Sequence, residues 1–420
     1  MRAGNAAYAA GIWLQSVRGC RAVLSERIET RAAGKVSDMG DIAISRREFV
    51  PGLEASRGVA ALMVALFHCG QATYFDATWQ TPPLVPGLYR SHSYLDAAFR
   101  IAGNGHGAVV FFFVLSGFVL MMMLSRQTDD PKGSAGPFFI GRVLRIYPAI
   151  FSTVAIFVGL FLLTGMSLGP PAAYSTSNVI ANALLLRADI NGVMWSLQTE
   201  MIAAPLIFSL YWSWRQWGSA ALLLPAFVLI GLSFSKEWSG TPGNGVSLGN
   251  LYSFVVGMIA CAYGKTIVAR LPHPAFLLML AIAGFALSRP LLGWWSNWSV
   301  ILETVFAGLI TTFIAYGDPL REGRLMAAAR YFGRISYSFY LLHALSLIAL
   351  WNMPALLGRA VSAGVPPIVL ALVAFISSVL VITPLAHLQH AVVERAGARL
   401  GRALTWRLRS KLEADALQRG

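Results

Sequence analysis

Apolar windows near the 17–25 residues that a helix needs to cross a bilayer recur ten times in this sequence. They lie at 56–75, 106–124, 146–166, 194–213, 219–234, 247–264, 274–288, 297–316, 335–354 and 364–387. Hydrocarbon offers no partner to a backbone amide or carbonyl, so only helices and closed barrels cross it. Most of these windows far exceed a barrel strand of about 9–11 residues. The expectation is therefore an all-α, polytopic transmembrane helix bundle with about ten spanning helices. Composition agrees, since only 12% of the residues are charged, about half the share in a soluble domain. The windows at 219–234 and 274–288 are short and are read as tilted or re-entrant. The apolar stretch at 178–186 is too short to span and is placed at the interface.

The chain carries 33 Lys and Arg against 19 Asp and Glu. A basic excess of this size raises nucleic acid as a partner. Its distribution gives a different account. With a cytoplasmic N-terminus, 26 Lys and Arg fall in inside segments and six in outside loops, Arg289 among the six. This asymmetry is the positive-inside rule, so the charge needs no nucleic acid. It predicts a multi-pass protein of the inner (plasma) membrane with both termini cytoplasmic. The expected organisation is a weakly ordered basic tail at 1–50, a transmembrane domain at 51–395 and a basic C-terminal tail at 396–420. Cys20, Cys69 and Cys261 are far apart and form no metal or disulfide pattern.

An ionisable side chain at a bilayer centre costs roughly 2.5–3.5 kcal/mol on insertion scales, so the polar residues inside these windows are the functional candidates. Arg57 and His68 lie three turns apart on nearly one helix face, separated by about 16 Å along the axis. They read either as a snorkelling arginine and a satisfied bundle histidine, or as an anchor and a general base. Ser116 sits between Phe113 and Gly117, where close helix packing is the plainer reading. Arg142 and Arg145 share a face, either as positive-inside anchors or as phosphate ligands with planar bidentate forks. Glu200 follows Trp195 and Ser196 at the start of its helix, where it reads either as a salt-bridged or interfacial acid, the plainer reading from position, or as a carboxylate deep enough to meet and orient His68. Ser336, Tyr340 and His343 are at helical spacing, suited either to interhelical hydrogen bonds or to a site.

Together these segments resemble the acyltransferase 3 family of membrane-bound acyltransferases, in the branch that O-acetylates exopolysaccharides and O-antigens. The resemblance rests on Arg57 and His68 with ten residues between them, then on Phe112, Phe113, Ser116, Gly117 and Phe118. It continues through Arg142, Arg145, Ile146 and Pro148, then Trp195, Ser196, Leu197 and Glu200. Ser336, Tyr337, Tyr340, Leu341 and His343 follow, and a late Glu394 closes the series. The basic stretch 1–50 lies outside it. What the resemblance implies is transfer of an acyl group, usually acetyl, from cytoplasmic acyl-CoA to a hydroxyl of a surface glycan or its lipid-linked precursor. His68 would be the base, with Glu200, His343 and Tyr340 assisting. Arg57, Arg142 and Arg145 would hold the nucleotide phosphates, and Ser116, Trp195 and Ser196 would line the substrate path. No bound cofactor or metal is implied; acyl-CoA is a co-substrate. A transporter or flippase for a glycan precursor is the other reading, since proton relays and substrate pathways also need intramembrane Arg, His and Glu.

Overall fold

A computed structural model of the chain describes residues 51–73, 93–127, 130–235, 246–294, 296–317, 323–351, 359–360 and 363–417. The sequence-derived tail at 1–50 lies outside them. Among the described residues every regular element is helical. In chain order they are α1 (Pro51–Thr73), α2 (Ser93–Ala102), α3 (Gly105–Leu124), α4 (Pro131–Thr164), α5 (Thr176–Ala183), α6 (Trp195–Trp217) and α7 (Ala220–Ser233). There follow α8 (Leu251–Arg270), α9 (Pro274–Leu292), α10 (Asn297–Tyr316), α11 (Arg324–Leu342), α12 (Ala344–Trp351), α13 (Pro367–Gln389) and α14 (Arg395–Leu417).

Within the described residues, each of the ten apolar windows is mostly helical. Seven helices among the described residues are long and apolar enough to cross a membrane: Ala98–Leu124, Pro131–Thr164, Gly192–Trp217, Leu251–Arg270, Pro274–Leu292, Asn297–Tyr316 and Ile368–Leu408. The protein is an all-α polytopic bundle. The window at 274–288 is longer than the sequence indicated, because α9 runs on through Arg289 to Leu292. The stretch at 178–186 is partly the short helix α5; Asn182 then accepts the Ile190 amide at 3.1 Å and ties the following turn back. At the C-terminal end, α13 passes through a π-helical turn at His390–Glu394 into α14, so 396–417 is a helix. It packs on α4, where Gly397 meets the Leu144 carbonyl oxygen.

Burial sets the layers. α3 is apolar all round, and 72% of its most apolar stretch is buried, against 17% for Ile368–Leu408. A helix without a polar face is an interior staff when covered and a lipid-facing one when not. Large side chains left outward, such as Leu163, Phe227, Leu291 and Leu380, would be an aggregation liability in water and are ordinary against lipid.

Two glycine pairs set the closest helix crossings. A Cβ at Gly117 would overlap the Phe254 carbonyl, and one at Gly257 the Val114 carbonyl, so α3 and α8 touch backbone to backbone. In the same way Gly58 faces the Ala329 carbonyl and Gly333 the Glu54 carbonyl, which locks α1 onto α11. Small residues let membrane helices approach this closely where lipid provides no hydrophobic drive. The second crossing puts the helix carrying Arg57 and His68 beside the one carrying Tyr340 and His343. Gly58→Ala is expected to lower stability by about 1–3 kcal/mol through overpacking. Gly159→Ala, in open space on α4, is expected to be neutral or to stabilise by roughly 0.5–1 kcal/mol through helix propensity. Thermal unfolding midpoints of the two variants in one detergent check the opposite signs.

Candidate active site

Five helices converge on one cavity of about 170 Å³. α1 supplies Arg57, α3 Ser116, α4 Arg142 and Arg145, α6 Ser196 and Glu200, and α11 Ser336, Tyr337 and Tyr340. The rest of the wall is largely apolar and aromatic, with Phe112 and Phe113 prominent. Segments that are weak signals singly in the sequence thus share one space.

The charged centre is a closed set of contacts. Arg142, buried, pairs through Nη2 with Glu200. The same nitrogen donates to Ser116 Oγ at 3.3 Å, and Ser116 donates to Glu200 Oε1 at 2.8 Å. A lone carboxylate or guanidinium is costly in this environment, and each neutralises the other. Arg145, three residues on, is exposed at the edge of the cavity. Arg57 Nε, Arg142 Nε and Ser336 Oγ are buried with no hydrogen-bond partner among the described residues. A buried donor left unpaired costs about 1–3 kcal/mol. Three of them, on residues lining one basic cavity, suit an anionic, acceptor-rich ligand such as a phosphate group.

Tyr340 closes one side. Its hydroxyl donates to the Val193 carbonyl at 2.9 Å and lies 2.8 Å from Ser196 Oγ. Beyond it stand His68 and His343, neither of which lines the cavity. His68 Nδ1 lies 2.9 Å from His343 Nε2. This corrects one expectation from the sequence. Glu200 does not orient His68: its Oε1 is held by Arg142 and Ser116, and the side chain that His68 meets is the second histidine. Trp195 also stands outside the cavity lining, edge-on to Phe113 with ring centroids 5.8 Å apart.

Two further polar clusters stand outside the cavity lining, and their pairings were not readable in the sequence. Glu394, in the π-turn, accepts from Ser338 and pairs with His390 Nδ1 at 3.0 Å; π-turns inside helices recur at functional positions. The other corrects the placement of Arg289 in an outer loop. Arg289 is buried on α9 and grips Glu303 of α10 with two bonds, 2.8 Å and 2.9 Å. Asn104, the N-cap of α3, adds a bond to Glu303 at 2.6 Å. The signal was present, since Glu303 is an acid in the middle of an apolar window. Among the described residues no group of three His, Cys, Asp or Glu is arranged to hold a metal.

Fold and site define an integral membrane protein with a buried, basic cavity and a histidine pair beside it. Comparison with protein families adds the chemistry. The acyltransferase 3 family model, described as "Acyltransferase domain", matches residues 50–387. The chain belongs to that family. It is also similar to Nodulation protein 10 of Rhizobium leguminosarum bv. viciae, 27% identical over 146 residues. That match spans 29% of this chain and 38% of the relative's length. No solved structure matches.

Proposed function

We propose that this acyltransferase moves an acyl group, acetyl in the first instance, from cytoplasmic acyl-CoA to a hydroxyl of a cell-surface polysaccharide or its lipid-linked precursor. The observation that carries the reading is the single cavity shared by Arg57, Arg142 and Arg145, with His68 on the same helix as Arg57. The arginines receive the phosphates of CoA: Arg145 at the edge, Arg57 and the Nε of Arg142 within. Arg142 is at the same time the counter-ion of Glu200. Eleven residues of α-helix rise about 16 Å, a span that an extended pantetheine arm covers from the arginines toward His68. His68 removes the proton of the acceptor hydroxyl as the oxygen attacks the thioester carbonyl. Ser196 and Tyr340, hydrogen-bonded to each other on the cavity wall, line the path of the thioester.

The purified protein in detergent, given radiolabelled acetyl-CoA and an isolated surface glycan, is expected to label the glycan. The same protein without label transfer, under conditions where it stays folded, would overturn the reading. Within that assay Arg145→Ala is expected to raise the apparent donor KM by about 10–100-fold, the loss of one charged hydrogen bond, with kcat nearly unchanged where donor binding is near equilibrium. An unaltered donor KM would remove Arg145 from the phosphate site. Mass spectrometry of surface glycans with and without the gene identifies the acceptor.

A further inference from the structure

The two histidines and the carbonyls they meet, Tyr340 for His343 and Val64 for His68, determine where the protons sit. The His68 and His343 rings have centroids 5.0 Å apart and planes inclined by 26°, while their nearest nitrogens are 2.9 Å apart. Rings whose centres lie so much farther apart than their nitrogens meet edge to edge and nearly coplanar. The contact then runs in the ring plane, along the nitrogen lone pair, which is the geometry of an N–H···N bond. On the far side of His343, Nδ1 lies 2.6 Å from the Tyr340 carbonyl oxygen. That carbonyl belongs to the last turn of α11, where a helix leaves carbonyls without an amide partner.

A carbonyl oxygen only accepts. His343 therefore carries a proton on Nδ1 and donates it to Tyr340. When neutral, His343 presents a bare Nε2, which accepts from His68 Nδ1. His68 in turn is left with a bare Nε2. Exposure divides the roles, because His343 is 1% exposed whereas His68 is partly exposed. His343 acts through His68.

We infer that His343 is a positioning residue that fixes His68 in its Nδ1–H tautomer, with Nε2 as the nitrogen that takes the acceptor's proton. This rests on the acyl-transfer reading above. The acceptor O–H proton passes to His68 Nε2 and the oxygen bonds to the thioester carbon. The carbon–sulfur bond breaks, and the leaving thiolate takes the proton back from Nε2. The products are an ester and the CoA thiol, and His68 is neutral again. Throughout, Nδ1–H of His68 stays on His343, so the ring needs no flip and no change of tautomer.

The test reads the tautomer without turnover. Full-length protein labelled with 15N-histidine is placed in detergent, and His68 is assigned by the signals lost in His68→Gln. The expected spectrum gives His68 a protonated Nδ1 and a bare Nε2. A bare Nδ1 in the wild type overturns the inference even if the protein transfers acyl groups. Kinetics supply a second arm. His343→Leu removes the acceptor and is expected to lower kcat on the order of 10²-fold, with donor KM within about twofold. His343→Gln puts Oε1 where Nε2 stood and is expected to return kcat to within about tenfold of wild type. Wild-type turnover in His343→Leu overturns the role, as does a glutamine variant no better than leucine. Should the leucine variant fail to fold, the wild-type spectrum still decides.

Discussion

His68→Gln is expected to insert and fold normally, to keep acyl-CoA binding and to lose about 10²–10⁴-fold in acyl transfer, the usual contribution of a general base, if His68 is the base proposed above. Glutamine is chosen because it separates chemistry from packing. If His68 served the bundle only through its bond to His343 Nε2, the glutamine amide would donate that bond and preserve the structure. Glutamine has no nitrogen that accepts a proton at neutral pH, so a base is lost while a hydrogen bond survives. His68→Ala is expected to be as inactive, and somewhat less stable through the loss of packing. Acyl-CoA binding by equilibrium dialysis, beside turnover, makes the comparison direct. Near-normal turnover of His68→Gln at normal expression would make His68 a structural residue and move the search for the base to His343.

The helices were legible because a bilayer leaves an apolar chain few options, and among the described residues α1 to α13 fall on the ten windows. The ends were less legible. α4 begins at Pro131, well before the apolar window, because Asp130 caps amides of its first turn at 2.7 Å and 3.1 Å. Glycine placement was readable as a tendency toward close packing, but which carbonyl each glycine meets depends on the partner helix. The arginines, Ser116, Glu200 and Tyr340 could be named from their types and positions, and all of them line one cavity. Their pairing could not. Depth put Glu200 and His68 at similar heights, yet helix rotation turns Glu200 toward Arg142, which a buried carboxylate meets at far lower cost than a neutral imidazole. The Arg289–Glu303 pair was lost for another reason. The apolar run ends at Ser288, so the next residue reads as a loop charge, and hydropathy alone does not show that α9 continues and turns Arg289 inward to Glu303.

That pair gives the largest expected effect on stability. Glu303 is 0% exposed and Arg289 3%. Both carboxylate oxygens accept from the guanidinium, Asn104 adds a third bond, and the third Arg289 nitrogen, Nη1, donates to the Trp294 carbonyl. The set ties α9, α10 and the start of α3 together. Glu303→Ala leaves the guanidinium buried without its counter-ion and is expected to cost about 3–5 kcal/mol, read as a fall in the thermal midpoint in detergent. The double variant Arg289→Leu/Glu303→Met removes both charges and refills the space with apolar side chains. Replacing a whole buried pair is often neutral or even favourable, so the double variant is expected to be more stable than Glu303→Ala alone. Asn104 keeps its bond to the Gly107 amide in either case, so the cap of α3 survives and does not confuse the comparison. Losses that simply add across Arg289→Leu, Glu303→Met and the double variant would show that the two residues are uncoupled. The penalty in Glu303→Ala would then come from a packing defect, and the ion pair would not be what holds α9 and α10 to α3.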